Sequence, residues 1–289
     1  MAVVFCDTNC ELWFDLAKEL GLQVIKMPYT LDGVEYYYDL GEKTDFKKFY
    51  SDVKSGKMPS TSALNAENYK EYFEPYFQKG EDILYLSFSD KLSATFTFMD
   101  QAVAELKEKY PNVKFVRFDT KGVSMTAGFQ VYAGKKFFDT GKTIEETVEF
   151  LNDFTKHVCA EFVVDDLRHL KRGGRISGFT AAIGTLLNFK PILRVTEEGT
   201  LVNKTKVNGK AKAISYLVEQ VKEKALDLGK YPIVIVHADC EDEALKLKEK
   251  IIQETGNDKL DIWVQMVGPV VGTHCGPGTI ALIFYAVSR

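Results

Sequence analysis

Hydroxyl and amide side chains follow several strand-like segments in the first half of the chain. They lie at residues 7–9 ("DTN"), 89–95 ("SDKLSAT") and 119–120 ("DT"), and the loop at residues 59–62 ("PSTS") adds more just before a helical pattern. In open parallel sheets, ligands bind beyond the carboxyl ends of the strands. Neutral donors backed by helix N-termini can hold a small anion there. These segments therefore indicate a site for an anion or another polar group.

A structural role explains the same residues equally well. Ser, Thr, Asp and Asn are the preferred residues at helix N-caps, and such caps gather at this edge of a parallel α/β sheet in any case. Thr8, Ser62, Ser93 and Thr120 could each serve as a cap. The spacing alone leaves both interpretations open.

One of the four histidines lies in the stretch "VVGTHCGPGTIAL", residues 270–282. The glycines and the proline predict a tight turn between two strands, with the ring of His274 pointing into solvent or toward another part of the chain. If the two halves face each other, Ser93 and His274 could meet as the nucleophile and base of a hydrolase. The nucleophile-elbow motif G-x-S-x-G of many hydrolases is missing.

Other chemistries have little support in the sequence. Neither G-x-G-x-x-G nor G-x-x-x-x-G-K-[ST] occurs, and the histidines do not pair at metal-ligand spacings. Residues 170–178 ("LKRGGRISG") could surround a phosphate, but such a stretch is more often a helix end followed by a turn. We therefore expect neither a cofactor nor a metal.

The pattern of apolar runs predicts an α/β protein of two domains. Strands at 2–6, 22–28, 82–88 and 113–118 alternate with helices, which is typical of a parallel sheet. After about residue 157 a predicted hairpin at 190–207 indicates a mixed sheet, and 179–189 ("FTAAIGTLLNF") predicts an apolar helix. We place the boundary in the helical segment 143–157, giving domains at 1–156 and 157–289.

The composition excludes several classes of protein. The chain has 289 residues, is 45% hydrophobic and carries a net charge of −4, which gives no electrostatic reason to expect a nucleic acid partner. No segment approaches the ~18 apolar residues of a membrane span, and the N-terminus does not resemble a signal peptide. Five scattered cysteines without a C-x-x-C pair favour reduced thiols and a cytoplasmic protein.

Seven segments, in order and over nearly the whole chain, resemble the DegV family of bacterial fatty-acid-binding proteins. The matching segments are "CDTNCEL", "LDGVEYYYDL", "MPSTSALNAENY", "SFSDKLSATF", "FDTKGVSMTAG", "FVVDDLRHLKRGGRIS" and "VGTHCGPGTIAL". The resemblance implies an N-terminal parallel α/β domain, a C-terminal α/β domain with a mixed sheet, and a long acyl chain in a tunnel between them.

The resemblance also implies which residues bind the ligand. Thr61, Ser62 and Ser93 would hold the fatty-acid carboxylate, His274 would support them from the second domain, and Arg172 would join this polar network. The ligand would be a long-chain acid such as palmitate, stearate or oleate. The resemblance implies that this protein is a carrier and not a catalyst, since some members of the family deliver the acid to a separate fatty-acid kinase that forms acyl phosphate.

The sequence departs from the family pattern at a few positions. Ala94 and Phe96 replace the usual glycine and tyrosine of the serine loop, and Ala63 replaces a common glutamine. Asn208 stands where many relatives have arginine, in a region that we expect to be exposed. An adaptor whose main role is to dock a kinase near Asn208 therefore remains a third hypothesis beside the carrier and the hydrolase.

Overall fold

The computed structural model describes residues 2–176 and 189–289. Its strands are β1 (Ala2–Asp7), β2 (Gln23–Ile25), β3 (Pro28–Leu31), β4 (Val34–Tyr37), β5 (Ser60–Thr61), β6 (Asp82–Ser87), β7 (Phe115–Asp119), β8 (Val158–Val163), β9 (Phe189–Val195), β10 (Leu201–Asn208), β11 (Ile233–His237), β12 (Ile262–Met266) and β13 (Ile280–Tyr285). Its helices are α1 (Phe14–Glu19), α2 (Phe46–Lys54), α3 (Ala66–Gln78), α4 (Thr95–Lys109), α5 (Met125–Phe138), α6 (Ile144–Phe154), α7 (Leu167–Arg172), α8 (Lys210–Lys224), α9 (Glu241–Thr255) and α10 (Pro269–Cys275).

The first half contains the predicted parallel sheet. Its order is β2-β1-β6-β7, and every neighbouring pair is parallel. The central strands β1 and β6 are mostly buried, which explains why each reads as a short apolar run without alternation. Short 3₁₀ turns at Thr8–Cys10 and Asp90–Leu92 follow these strands and carry polar residues to one edge of the sheet.

A small antiparallel sheet, β4-β3-β5, lies beside the parallel sheet and was not predicted. The segment 22–28, predicted as one strand, is divided between β2 and β3. The hairpin of β3 and β4 turns at Asp32 and Gly33, and both residues have positive φ angles. An Asp-Gly pair between strand-like segments is a strong hairpin signal, and it could have been read from the sequence.

The second half contains the predicted mixed sheet, in the order β10-β9-β8-β13-β11-β12. The predicted hairpin is formed by β9 and β10, which pair Val195 with Leu201 across the turn. Strands β11 and β12 are parallel, whereas the other pairs are antiparallel. Helices α8 and α9 pack together and contact the face of this sheet remote from the first half.

Helix α5 joins the two halves. Most of its residues are buried, and it contacts both α6 and the second-half strands β8 and β13. Helix α6 follows, with a capping box formed by Thr143 and Glu146. The chain enters the second sheet at Val158, directly after this helix. The domain division at 156/157 stays a prediction.

One predicted segment of the second half has a different structure, and another lies mostly outside the described residues. Residues 269–275 were expected to form a turn, but they form α10, which ends at Gly276 with φ 75°. Pro269 at the start of α10 explains the difference, because its fixed φ suits the first helical position. The apolar helix predicted at 179–189 lies almost entirely outside the described residues.

Within residues 2–176 and 189–289, no helix combines the length and the apolar composition needed to cross a membrane. The largest apolar core cluster contains residues of both halves, among them Phe129, Phe154 and Val158. The two sheets therefore share an apolar contact region.

Candidate ligand-binding site

A deep cavity lies between the two sheets, at the carboxyl ends of β1 and β6. The space between its lining residues, counted together with the open solvent at its mouth, is about 970 Å³. Its apolar wall includes side chains from five strands of the second sheet, β8, β9, β10, β11 and β13: Phe162, Val195, Leu201, Val236, Ala281 and Ile283. Mostly apolar walls with a few polar groups are typical of small-molecule sites.

Helix α10 forms one side of the cavity. Val270, Val271 and His274 line it together with Val267, which precedes the helix. The spacing of these residues places them on one helical face. The valines on this face therefore form an apolar strip along the cavity, and the strip ends at the imidazole of His274.

The imidazole of His274 contacts a hydroxyl group of the first half. Its Nε2 lies 2.9 Å from Oγ1 of Thr61, which belongs to the short strand β5. Nδ1 of His274 has no hydrogen-bond partner among the described residues. That atom faces Gly173, where a Cβ would approach it to 2.2 Å, so only glycine leaves room for the ring.

The environment of His274 favours the neutral ring. Burial lowers its pKa to about 4, and the positive charges of Arg175 and Arg172 act in the same direction. The imidazole of the free protein is therefore uncharged near pH 7. It can act as a hydrogen-bond donor or acceptor there.

Ser93 and Ser62 also line the cavity. Ser93 follows the 3₁₀ turn after β6, and its Oγ accepts a hydrogen bond of 3.2 Å from the backbone N–H of Thr95. Ser62 is exposed, and its hydroxyl donates to Glu35 at 3.4 Å. Ser93 thus supports the start of α4 as a capping residue does, while it also faces the cavity.

The structure brings four of the five predicted site residues to the cavity. Arg172 is exposed and does not line it; its guanidinium group lies 3.2 Å from Nδ1 of His169. Arg175 lines the cavity instead and donates a hydrogen bond of 3.0 Å to the carbonyl of Leu92. Helix α7 ends at Arg172, so the turn that follows carries Arg175 toward the cavity.

Sequence reasoning missed a buried polar network that joins the two halves beside the cavity. The carboxylate of Glu11 accepts a hydrogen bond of 2.6 Å from the N–H of Gly268 and another from the hydroxyl of Ser124. Gln265 donates to the backbone carbonyl of Glu11 at 2.6 Å. Burial raises the pKa of Glu11 to about 8, although both bonds to its carboxylate act in the opposite direction.

Tyr50 adds a second connection between the halves. Its hydroxyl donates a hydrogen bond of 2.8 Å to the carbonyl of Val267, just before α10. On α10 itself, a Cβ at Gly272 would lie 2.6 Å from the same hydroxyl, and a Cβ at Gly268 would lie 2.3 Å from the ring of Tyr38. Glycine at these positions lets the helix approach the first half closely.

The cavity offers little support for a metal or for a Ser–His dyad. In the part of the chain that the structure describes, no three His, Cys, Asp or Glu side chains gather where they could hold a metal ion. The ring of His274 is bonded to Thr61, whereas the hydroxyl of Ser93 is bonded to a backbone N–H. The arrangement suits an apolar chain with a hydrogen-bonding group at one end.

Comparison with known proteins gives a consistent result over the full length. The family model of the DegV family matches residues 1–287. A DegV domain-containing protein of Clostridium perfringens is 36% identical over 282 residues, covering 98% of this chain and 96% of the relative. The DegV domain-containing protein YteA of Lactococcus lactis is 34% identical, covering 99% and 97%.

Solved structures of related proteins have the same fold. A DegV family protein of Thermus thermophilus, described as binding fatty acid, superposes with a TM-score of 0.87 at 26% identity and covers 99% of both chains. DegV of Bacillus subtilis, described as a fatty acid binding protein, superposes with a TM-score of 0.82 at 27% identity and covers 98% of both chains. On this agreement of sequence and fold, the chain belongs to the DegV family.

Proposed function

We propose that this protein binds one long-chain fatty acid in the cavity between its two sheets. The acid is of the palmitate, stearate or oleate type. Its carboxylate contacts Thr61, Ser62, Ser93 and His274, and its tail follows the apolar wall. The observation that carries this proposal is the cavity itself, in which hydroxyl groups of the first half and an imidazole of the second adjoin an apolar slot.

The tail supplies most of the affinity. Burial of a methylene group contributes roughly 0.8 kcal/mol, so about 14 methylenes contribute on the order of 11 kcal/mol before the cost of association. A charge-assisted hydrogen bond contributes about 1.5–3 kcal/mol. The hydroxyl groups and the imidazole therefore orient the acid and distinguish it from an uncharged hydrocarbon.

Related structures support this ligand class. The proteins of Thermus thermophilus and Bacillus subtilis that share the fold at 26% and 27% identity are both described as binding fatty acids. On the same grounds we place this chain among binding proteins rather than catalysts.

Extraction of the purified, never delipidated protein tests the proposal. Organic solvent should release about one fatty acid per chain, identified by mass spectrometry. The double variant Thr61→Val/Ser93→Ala should retain less acid, whereas Lys206→Ala, a change on β10 away from the cavity, is the matched control. A clean extract, together with no binding of added palmitate, stearate or oleate, would contradict the proposal.

We further propose that the carboxylate is presented to a separate fatty-acid kinase. The exposure of Ser62 supports this idea, because a second protein can reach the carboxylate end of the site. Asn208 is exposed at the end of β10, as expected from the sequence. A kinase with ATP should form acyl phosphate only when this protein is present. Asn208→Arg then measures whether this position affects docking, with acid binding as the internal control.

No contact among the residues that the structure describes favours the ester hydrolase. Ester turnover that disappears in Ser93→Ala would revive that hypothesis. Fatty-acid binding by an inactive protein would support the carrier.

A further inference from the structure

Asn9 lines the cavity at some distance from His274, and its side-chain oxygen has no partner among the described residues. It lies in the 3₁₀ turn after β1, lines the cavity and is 6% exposed. Its backbone N–H donates to Asp7 at 2.9 Å, and its carbonyl accepts from the N–H of Ser124 at 2.7 Å. Within the described residues its side-chain Oδ1 is buried without a hydrogen-bond partner. Buried polar groups usually have a hydrogen-bond partner, and because Asn9 lines the cavity, a polar group of a bound ligand can supply one to its amide.

Thr126 lies on the same wall. It belongs to the first turn of α5, lines the cavity and is 3% exposed. No hydrogen bond joins its hydroxyl to the part of the chain that the structure describes. Helix α5 is pressed against the 3₁₀ turn, since a Cβ at Gly128 would lie 2.2 Å from the carbonyl oxygen of Cys10. The two polar side chains are therefore held on a tightly packed wall.

The length of helix α10 indicates how far this wall lies from the carboxylate end of the proposed site. Glu11 links the hydroxyl of Ser124 to the N–H of Gly268, so the wall lies near the beginning of the helix. His274 lies in its last turn. Six residues at a rise of ~1.5 Å separate the two ends by roughly 9 Å. Because an extended acyl chain zigzags, each carbon–carbon bond of about 1.5 Å advances it by about 1.25 Å, so it covers that length in roughly seven carbons.

We propose that Asn9 and Thr126 form a second polar subsite that accepts a hydroxyl group near the middle of the acyl chain. The inference rests on the proposed fatty-acid site. A primary amide and a hydroxyl each offer a donor and an acceptor, which matches the donor and acceptor of an alcohol. The neighbouring ionisable groups, Glu11 and Asp7, are acidic and offer no cation to a second carboxylate. The ligand class is therefore a mid-chain hydroxylated fatty acid.

Competitive displacement of a fluorescent fatty acid tests the subsite. Three acids are compared: octadecanoic acid, a derivative hydroxylated at about the seventh to tenth carbon, and a derivative hydroxylated at the penultimate carbon. In the natural protein the mid-chain hydroxy acid should bind at least as tightly as the plain acid. Asn9→Leu should weaken its binding roughly tenfold relative to the plain acid, because the hydroxyl then lacks its partner. The penultimate derivative should show no such change.

Thr126→Val is the second variant, and a smaller loss of roughly threefold is expected for it. Thermal unfolding and binding of the plain acid show that each variant is folded. An unchanged ratio between the mid-chain and plain acids in both variants would overturn the inference, as would rejection of the mid-chain acid by the natural protein. Failure of all three acids to bind would instead contradict the fatty-acid site itself.

Discussion

Binding of a fatty-acid anion should be accompanied by proton uptake at His274. In the free protein the pKa of this ring is about 4, so the ring is neutral at pH 7. A carboxylate held about 4 Å from the ring contributes about 4 kcal/mol at an effective dielectric constant of ~20, which equals about three pKa units. Binding then raises the pKa of the imidazole from about 4 into the neutral range, and the complex holds a proton that the free protein lacks.

The sign and size of the pH effect follow from this difference. Since the complex binds more protons than the free protein, the affinity rises as the pH falls. Between about pH 8 and pH 6 the dissociation constant should decrease about tenfold, while a long-chain acid in water remains mostly ionised. Calorimetry in two buffers of different ionisation enthalpy measures the proton uptake directly, and it should approach one proton per ligand near pH 6.

The variant His274→Gln separates the ring from other proton acceptors. Glutamine can still bond to Thr61 but does not titrate, so its affinity should be lower and nearly independent of pH over this range. If His274→Gln retained the tenfold change, the proton would reside on the ligand or on another group. If the natural protein took up no proton, the neutral ring alone would support the carboxylate, and a charged imidazole in the complex would be refuted.

Three further changes test the packing around the site. The natural protein should lose about 2 kcal/mol of stability between pH 6 and pH 8, because the raised pKa of Glu11 makes the folded state hold a proton that the unfolded chain has released. Glu11→Gln should abolish this loss, and urea unfolding at both pH values measures it. Gly173→Ala should weaken fatty-acid binding in the natural protein but change little in the His274→Ala background, and additive effects in this double-mutant cycle would contradict the close contact. Tyr50→Phe should cost about 1–2 kcal/mol in thermal unfolding, since the carbonyl of Val267 loses its donor; an unchanged melting temperature would argue against this bond.

The parallel sheet and part of the site could be predicted from the sequence because they depend on local patterns. Short apolar runs alternating with helices led to the sheet β2-β1-β6-β7, and polar residues after β6 led to Ser93 at its edge. The loop at 59–62 and the histidine in residues 270–282 were also singled out by residue type, and the family resemblance assigned Thr61, Ser62 and His274 to the site; the structure places all three at the cavity. Their assignment to a fatty-acid carboxylate remains a prediction.

Other features depend on contacts that no local pattern shows. Glycines at 272, 276 and 278 favoured a turn, yet Gly272 serves the close approach of α10 to Tyr50, more than 200 positions earlier in the chain. The choice between Arg172 and Arg175 depended on where α7 ends, and a shift of one turn separates an exposed guanidinium group from one at the cavity. The Glu11 network joins residues from three distant segments, so burial of that carboxylate could not be foreseen.

Helix α10 divides the site into a constrained part and an adaptable part. Its glycines fix it against Tyr38 and Tyr50, so the position of His274 cannot change without repacking the first half. The opposite wall consists of strand side chains such as Val236 and Ile283, whose size can vary while the backbone ladder stays in place. For the proposed fatty-acid site, single substitutions in the second sheet are therefore expected to change the preference for tail length or shape and to leave the recognition of the acid end unchanged.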